Sequence, residues 1–381
     1  MKIIRVEAIP VKFPLKKPML MGGRSYTVVE AAIVRLVTSG RHAGWGEASI
    51  APFLTGETLP GALAAIERLD ALVTGRDASE LSSLGDAMQQ AVPNDPSARA
   101  AVEVAWNDAL AREKGIPLHR MIAPDAPPSF PCIWLVGNSS RERDLAEVLA
   151  KARDGFRCFK LKVANGDTTE EARTLIDMRD SLGDDALICA DANTAWTVQE
   201  AIRFVQQVEK SRPQFVEQPV GRDDFDGLAQ VARASSVPIG ADESMQSVGD
   251  VARLLKQGIV KGGSFKILKF GGLSGCLEAA RVCLSLDGSV NLSGKLGESS
   301  IANAAALALA GAIRPLSWAL SLTNHYLEED IVKRPIAIKD GRAALLEGPG
   351  LGIEIDEEKL ARLSIRRDRH SGEALTSNHR S

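Results

Sequence analysis

FKLKV at 159–163, LICAD at 187–191, QFVEQ at 214–218, IGADE at 239–243 and SFKIL at 264–268 are short apolar runs that carry ionisable residues at or near their ends. They belong to a longer series that begins with CIWLV (132–136) and continues through SVNLS (289–293) to LSWAL (316–320). With Leu135, Leu161, Ala190, Val216, Ala241, Lys266, Leu292 and Trp318 as markers, the steps are 26, 29, 26, 25, 25, 26 and 26 residues. A step of that length holds one strand and the amphipathic helix that follows it. Eight strands at this spacing predict a parallel, TIM-like (β/α) barrel. A doubly wound open sheet is the competing arrangement for the same pattern. No eighth helix is legible after Trp318, so the expected form is a modified (β/α)7β barrel.

Outward from this region the texture changes. Ile3–Phe13 alternates apolar and polar residues, and 28–38 (VVEAAIVRLVT) and 43–48 (AGWGEA) read as further strands. Pro60–Leu72, Glu80–Ala91 and Ser97–Lys114 have helical periodicity. This is an α+β unit, with the Pro-rich 123–131 (APDAPPSFP) as its link to the barrel. The expected division is an α+β capping domain over 1–127, the barrel over 128–320, and a return segment over 321–365 that packs back on the cap. Residues 366–381, polar throughout, read as a disordered tail. Both the N-terminus and the C-terminal tail then contribute to the cap.

Composition excludes several classes of function. The chain has 46 basic and 49 acidic residues, a net charge of −3, and no clustered basic face, so no nucleic-acid partner is expected. The most apolar segment, Ile301–Ile313, is shorter than the roughly 20 residues that span a bilayer. MKIIRVEAIPVKF alternates like a strand rather than a secretory signal. The five cysteines show no CxxC or zinc spacing, and three lie in strand-like runs. A cytoplasmic protein with reduced thiols and no membrane partner is expected.

The chemistry is expected at the C-terminal ends of the barrel strands. Those ends carry Lys160 and Lys162, Asp191 and Asn193, Glu217, Asp242 and Glu243, then Lys266 and Lys269. Taken singly, Asp-Ala-Asn or Glu-Gln-Pro is a common cap or turn. In phase with the repeat, they form an array ordered base, acid, acid, acid, base. Three carboxylates on adjacent strand ends can converge, and a hard divalent cation relieves their repulsion. An all-oxygen set favours Mg²⁺ over zinc or copper. Lysines beside such a cation have a lowered pKa and can act as bases near neutral pH.

These motifs resemble the muconate-lactonizing subgroup of the enolase superfamily, in the mandelate racemase/muconate lactonizing enzyme family. The resemblance runs through Gly44–Ala48, the Ala-rich helix with Trp106, Lys160-x-Lys162, Asp191-x-Asn193, Glu217-Gln218-Pro219, Asp242-Glu243-Ser244, Lys266 with Gly271-Gly272, Glu298-Ser299 and Gly348–Gly352. It implies a small-molecule carboxylate substrate, and Mg²⁺ held by Asp191, Glu217 and Asp242, with Mn²⁺ as a substitute. It implies Lys162 and Lys266 as the acid/base pair around an enolate. Lys160 would neutralise the substrate carboxylate, Asn193 and Glu243 would stand behind the metal ligands, Glu243 pairing with Lys266, and the protein would be a homo-oligomer. Lys269 reads as structural.

Substrate choice falls to the cap loop and the last strand end. The loop 18–26 (PMLMGGRSY) is expected to be an adaptable lid with Arg24 as its anion-binding group. Dipeptide epimerases of this subgroup carry Asp-x-Asp after the last strand; here Ser321, Thr323 and Asn324 stand there instead. Thr323, Asn324 and Glu298 are the remaining substrate-binding candidates. Lys295 stands where an apolar approach to Glu298 is more usual, either contacting an acidic substrate or solvated, and His325 reads as structural. The expected function is an isomerase, either a racemase/epimerase or a cycloisomerase. A dehydratase (lyase) acting on a β-hydroxy acid or hydroxy amino acid shares the first half-reaction. An inactive metal-binding barrel is the third reading, and the intact carboxylates and lysines argue against it.

Overall fold

The structure is a computed structural model that describes residues 1–365 apart from Gly22, Ala78, Ser79 and Ser139. The segment 366–381, read above as a disordered tail, lies outside the described residues. The chain opens with β1 (Ile3–Met21), β2 (Arg24–Thr38) and β3 (Gly44–Ser49), an antiparallel sheet in that order. Short β4 (Ser129–Pro131) follows the helices. Then come the barrel strands β5 (Ile133–Val136), β6 (Cys158–Lys162), β7 (Leu187–Asp191), β8 (Phe215–Glu217), β9 (Ile239–Ala241), β10 (Gly262–Phe265), β11 (Ser289–Ser293) and β12 (Leu320–Ser321). Among the described residues these eight pair in sequence order, all parallel. A parallel bridge between Cys132 and Leu320 closes the ring. The fold is a (β/α) barrel with an α+β cap, and the open sheet is excluded by that closure.

The helices between strands form for legible reasons. Val198–Val208 starts at a capping box, Thr197 and Glu200 each bonding the other's backbone. Its Ala201, Phe204, Val205 and Val208 recur at helical spacing and bury against the barrel. Asp167, Asp224 and Ser247 cap the helices that follow them by accepting from first-turn amides. No helix of the described residues is long and apolar enough to cross a membrane.

The expected mobile loop at 18–26 is instead the end of a β-hairpin. Met19, Leu20 and Met21 pair with Tyr26, Ser25 and Arg24. Met19 and Met21 are buried, so they pack rather than flex. The return segment reaches the cap through bridges of Leu327 to Leu15, Gly350 to Pro117 and Ser364 to Val11. β13 (Arg342–Ala344) pairs with β4, so part of the Pro-rich link is a strand.

Two buried carboxylates of the cap hold the starts of barrel helices. Glu47 on β3 accepts hydrogen bonds from the Ser299 amide and hydroxyl, at the start of the helix Ser300–Ala310. Glu103, on the helix Pro96–Glu113, accepts from the Ser274 amide and hydroxyl at the start of Leu273–Ser285. Both carboxylates sit at helix N-termini, where exposed amides and the helix dipole favour an anion. Burial still raises both above the usual carboxylate range, against those hydrogen bonds.

The GWGEA strand shows why glycine is needed there. A Cβ at Gly44 or Gly46 would lie 1.8 or 1.9 Å from the backbone oxygen of Ala105 or Ala101, on the helix Pro96–Glu113. Neither backbone can yield without moving the strand off the helix. Gly46→Ala should therefore destabilise the protein by about 1–3 kcal/mol, the usual cost of overpacking. Urea titration monitored by circular dichroism measures it, and an unchanged midpoint would remove this account of the motif.

Candidate active site

The barrel register sets the site before any side chain is considered. Lys162 on β6 pairs with Asp191 on β7, Asp191 pairs with Glu217 on β8, and Glu217 pairs with Gly240 on β9. The strand-end residues therefore stand at one level around the mouth, and almost all are buried. Lys266 follows β10 directly, four strands from β6, so the two lysines project from opposite sides of the ring. A cavity of about 550 Å³ opens above them. Lys160, Lys162, Asp191, Glu217, Glu243 and Lys266 line its floor. Met21, Tyr26, Phe53, Leu135 and Leu296 supply an apolar wall, and Arg24, Lys295 and Thr323 the polar one.

Asp191, Glu217 and Asp242 are each matched to an ammonium. Lys162 Nζ donates to Asp191 Oδ2 at 2.5 Å and to Asn193 Oδ1 at 2.9 Å. Lys160 Nζ donates to Glu217 Oε2 at 2.5 Å and to Asn291 Oδ1 at 3.1 Å. Lys266 donates to Asp242 Oδ2, and Lys269 donates to Asp242 Oδ1 at 2.8 Å. Accordingly, among the described residues no group of three His, Cys, Asp or Glu side chains is gathered as a metal cluster. The three carboxylates expected to converge on one point are each drawn toward a lysine. The reason is electrostatic: buried like charges repel, and each anion takes the nearest cation.

The titration behaviour follows from this pairing. Burial opposes the charge on Asp242, but Lys266 and Lys269 outweigh it and hold its carboxyl well below the usual range. Burial also opposes the ammonium of Lys266, and Asp242, Glu217 and Glu243 override it, so its pKa is raised. Lys160 is raised in the same way, burial being overcome chiefly by Glu217. Glu243 is left over. Its pairing with Lys266 is not observed; Oε1 accepts from Asn193 at 3.4 Å and Oε2 has no partner among the described residues. Burial and the adjacent Asp242 charge raise it to about 8.

Other expected residues are placed as follows. Arg24 and Thr323 line the cavity. Thr323 accepts from the Glu298 amide and donates to the Lys295 carbonyl, which fixes the loop after β11. Asn324 turns away, its amide donating to the Ile336 carbonyl and the Ser300 hydroxyl in the return segment. Glu298 lines a smaller adjoining cavity with Glu47 and Ser293. His325 is stacked on Trp134, 5.0 Å between ring centroids, and burial lowers its pKa to about 3. Lys269, read as structural, is part of the charge array itself.

Sequence reading passed over a polar layer beneath the floor. Asn291 links Lys160 to the carbonyls of Trp318 and Ala319, and Ser264 donates to Glu217 at 2.5 Å. The Gln218 side chain accepts from the amides of Asp242 and Ser244, fixing that turn. The only hint was a polar residue inside an otherwise apolar strand. Their partners come from distant strands.

Residues 144–359 match the family described as enolase C-terminal domain-like, and residues 3–123 match the mandelate racemase/muconate lactonizing enzyme N-terminal domain. The chain is 31% identical over 369 residues to a chloromuconate cycloisomerase of Pseudomonas putida, covering 94% of this chain and 98% of that one. Its fold superposes with a TM-score of 0.90 on the muconate lactonizing enzyme of Pseudomonas fluorescens complexed with muconolactone, at 26% identity over 95% of this chain and 99% of that one. It superposes with a TM-score of 0.86 on a dipeptide epimerase of Enterococcus faecalis V583 complexed with Mg and the dipeptide L-Leu-L-Tyr, at 27% identity over 93% of this chain and 100% of that one. The chain belongs to the mandelate racemase/muconate lactonizing enzyme family of the enolase superfamily. It is an enzyme of that superfamily, and the named relatives are isomerases.

Glu298 supplies a pH-dependent prediction. Burial, reinforced by Glu47, raises its pKa to about 8 from the ordinary 4.5 of a glutamate. The folded protein thus holds a proton there that the unfolded chain releases. Stability from this group is present below about pH 4.5 and declines as pH rises toward 8. Glu298→Gln removes that dependence. The stability of the variant relative to the wild type should rise between pH 5 and pH 8 in urea titrations, and parallel pH profiles would refute the assignment.

Proposed function

We propose that the chain is a Mg²⁺-dependent isomerase that removes the proton next to a substrate carboxylate through an enolate, with Lys162 and Lys266 as the acid/base pair. The observation that carries this reading is the opposition of two buried lysines across one cavity whose floor also holds Lys160, Asp191, Glu217 and Glu243. Asp191, Glu217 and Asp242 fit a hard cation, since all are buried oxygen donors on adjacent strand ends. The unpartnered Oε2 of Glu243 is a further buried oxygen beside that group, on a carboxyl that burial and Asp242 push toward its neutral form. The cation would supply positive charge opposite the developing enolate, which a lysine alone cannot supply in full.

The chain's own residues account for the proton transfers. Paired to Asp242, Lys266 is too strong an acceptor to leave its proton. Freed from that carboxylate, the same amine would feel mainly burial and neighbouring positive charge, both of which favour the neutral base. Lys162 stands in the corresponding position opposite, held by Asp191 and Asn193. One lysine can then take the α-proton from one face while the other delivers a proton to the opposite face. Lys160 remains in the floor to neutralise the substrate carboxylate. The apolar wall of Met21, Tyr26, Phe53 and Leu296 excludes water from the enolate. A cytoplasmic homo-oligomer is part of this proposal.

Proton exchange in D₂O tests it, by NMR across a carboxylate library with Mg²⁺. EDTA should abolish exchange and added Mg²⁺ restore it. Lys162→Ala and Lys266→Ala should each cut net isomerisation by roughly 10²–10⁴-fold, the usual worth of a positioned acid or base. Each variant should still exchange the α-proton of one stereoisomer, and the two should differ in which one. Equal exchange of both isomers in both variants would sink the two-base mechanism. Net loss of a β-hydroxyl group would reassign the chain to the dehydratases.

A further inference from the structure

The loop after β11 places a cation in the cavity that nothing in the protein neutralises by contact. Lys295 is 6% exposed, yet its ammonium has no hydrogen-bond or ion-pair partner among the described residues. Its backbone is pinned, because its carbonyl accepts from Thr323 Oγ1 at 2.7 Å. The nearby carboxylates are all engaged elsewhere. Glu47 holds the Ser299 amide and hydroxyl and the Ser49 hydroxyl. Glu30 pairs with Lys12 at 3.4 Å. Glu298, raised to about 8, is neutral at pH 7.

Lys295 also occupies a particular place. A second cavity of about 590 Å³, bounded by the cap hairpin, adjoins the catalytic one. Lys295 lines both, as do Arg24, Met21, Tyr26, Phe53 and Leu296. It is thus a buried ammonium in a largely apolar wall, at the junction between the reacting floor and the outer cleft. An amine there without a contact partner loses hydration, so burial lowers its pKa while Glu298, Glu47 and Glu30 oppose that through space, and an arriving anion would favour the charged form.

We propose that Lys295 is a specificity-determining residue that binds a second anionic group of the substrate, a carboxylate remote from the reacting one, so that the enzyme selects dicarboxylates. This rests on the reading above that the floor lysines and carboxylates take the reacting carboxylate. Floor and junction are then separate cationic subsites joined by an apolar span. Arg24, exposed on the hairpin, adds charge at the outer edge of the same junction.

The test is binding, so it does not depend on knowing the true substrate. Succinate, glutarate and adipate are titrated by calorimetry into the Mg²⁺-saturated full chain, against butyrate, pentanoate and hexanoate. At least one dicarboxylate should bind roughly ten- to a hundredfold more tightly than its matched monocarboxylate, the range of one charge-assisted hydrogen bond. Lys295→Met should erase that preference and leave monocarboxylate binding within about threefold. Lys295→Arg should retain part of it. The proposal is overturned if no dicarboxylate is preferred by the wild type, or if the preference survives in Lys295→Met. Survival is what a purely structural role beside Glu47 and Glu298 predicts. The reading of the floor stands or falls separately, on whether monocarboxylate binding responds to Mg²⁺. A dicarboxylate preference without that response would support the Lys295 assignment and reject the metal-centred floor.

Discussion

The barrel mouth is organised by the need to balance charge where water is largely excluded. Asp191, Glu217, Asp242 and Glu243 stand against Lys160, Lys162, Lys266 and Lys269, all buried. Removing one partner from such a pair typically costs about 3–5 kcal/mol, because an unpaired charge stays inside. An apolar set of the same shape would be no less stable. The array therefore makes sense as a site held ready for chemistry rather than as a device for stability. It also explains why Lys160 and Lys266 hold their protons as they stand: against burial, the neighbouring carboxylates, chiefly Glu217 for Lys160 and Asp242 for Lys266, raise their pKa.

The supports of that array come from far away in the chain. Asn291 and Ser264 fix Glu217 and Lys160 from β11 and β10, and Gln218 holds the turn that carries Asp242. The cap acts at two removes. Glu47 grips the helix that begins at Ser299, just after the loop that carries Lys295 and Glu298. A shift of the cap would thus be felt at the cavity wall through a buried hydrogen bond, while the floor is held by the barrel itself.

Much of this was legible in the chain. The near-constant spacing of apolar runs specifies the barrel because each βα unit must cover one strand width with one helix. Strand-end position alone collected Lys160, Lys162, Asp191, Glu217, Asp242, Glu243 and Lys266, since parallel strands all present their C-terminal ends to the same face. The GWGEA glycines also have a local cause, although the helix they accommodate lies more than 50 residues later. Other readings failed where a local pattern had two outcomes. The two glycines at 22–23 suggested a loop, whereas the strand continues to Met21 because Met19 and Met21 are needed as buried apolar residues. Asn324 follows the last strand like a site residue, yet it turns into the return segment.

Periodicity and strand-end position by themselves determined the barrel architecture and which side chains meet at its mouth, because these depend on residue type and spacing along the chain; the family was read from the resemblance of whole motifs and from the matched domains. Only the tertiary structure decided who pairs with whom. Asp242 takes both Lys266 and Lys269, and Glu243 is left protonated, because ammonium groups from separate strands choose among carboxylates by distance in space. The same holds for Lys295. Its sequence neighbours include Glu298, which would suggest a partner three residues away. Folding instead places that carboxyl where burial neutralises it, and leaves the ammonium facing the cavity. Whether a charge is paired or free is a property of the packed interior, where desolvation makes each contact consequential, and no stretch of sequence states it.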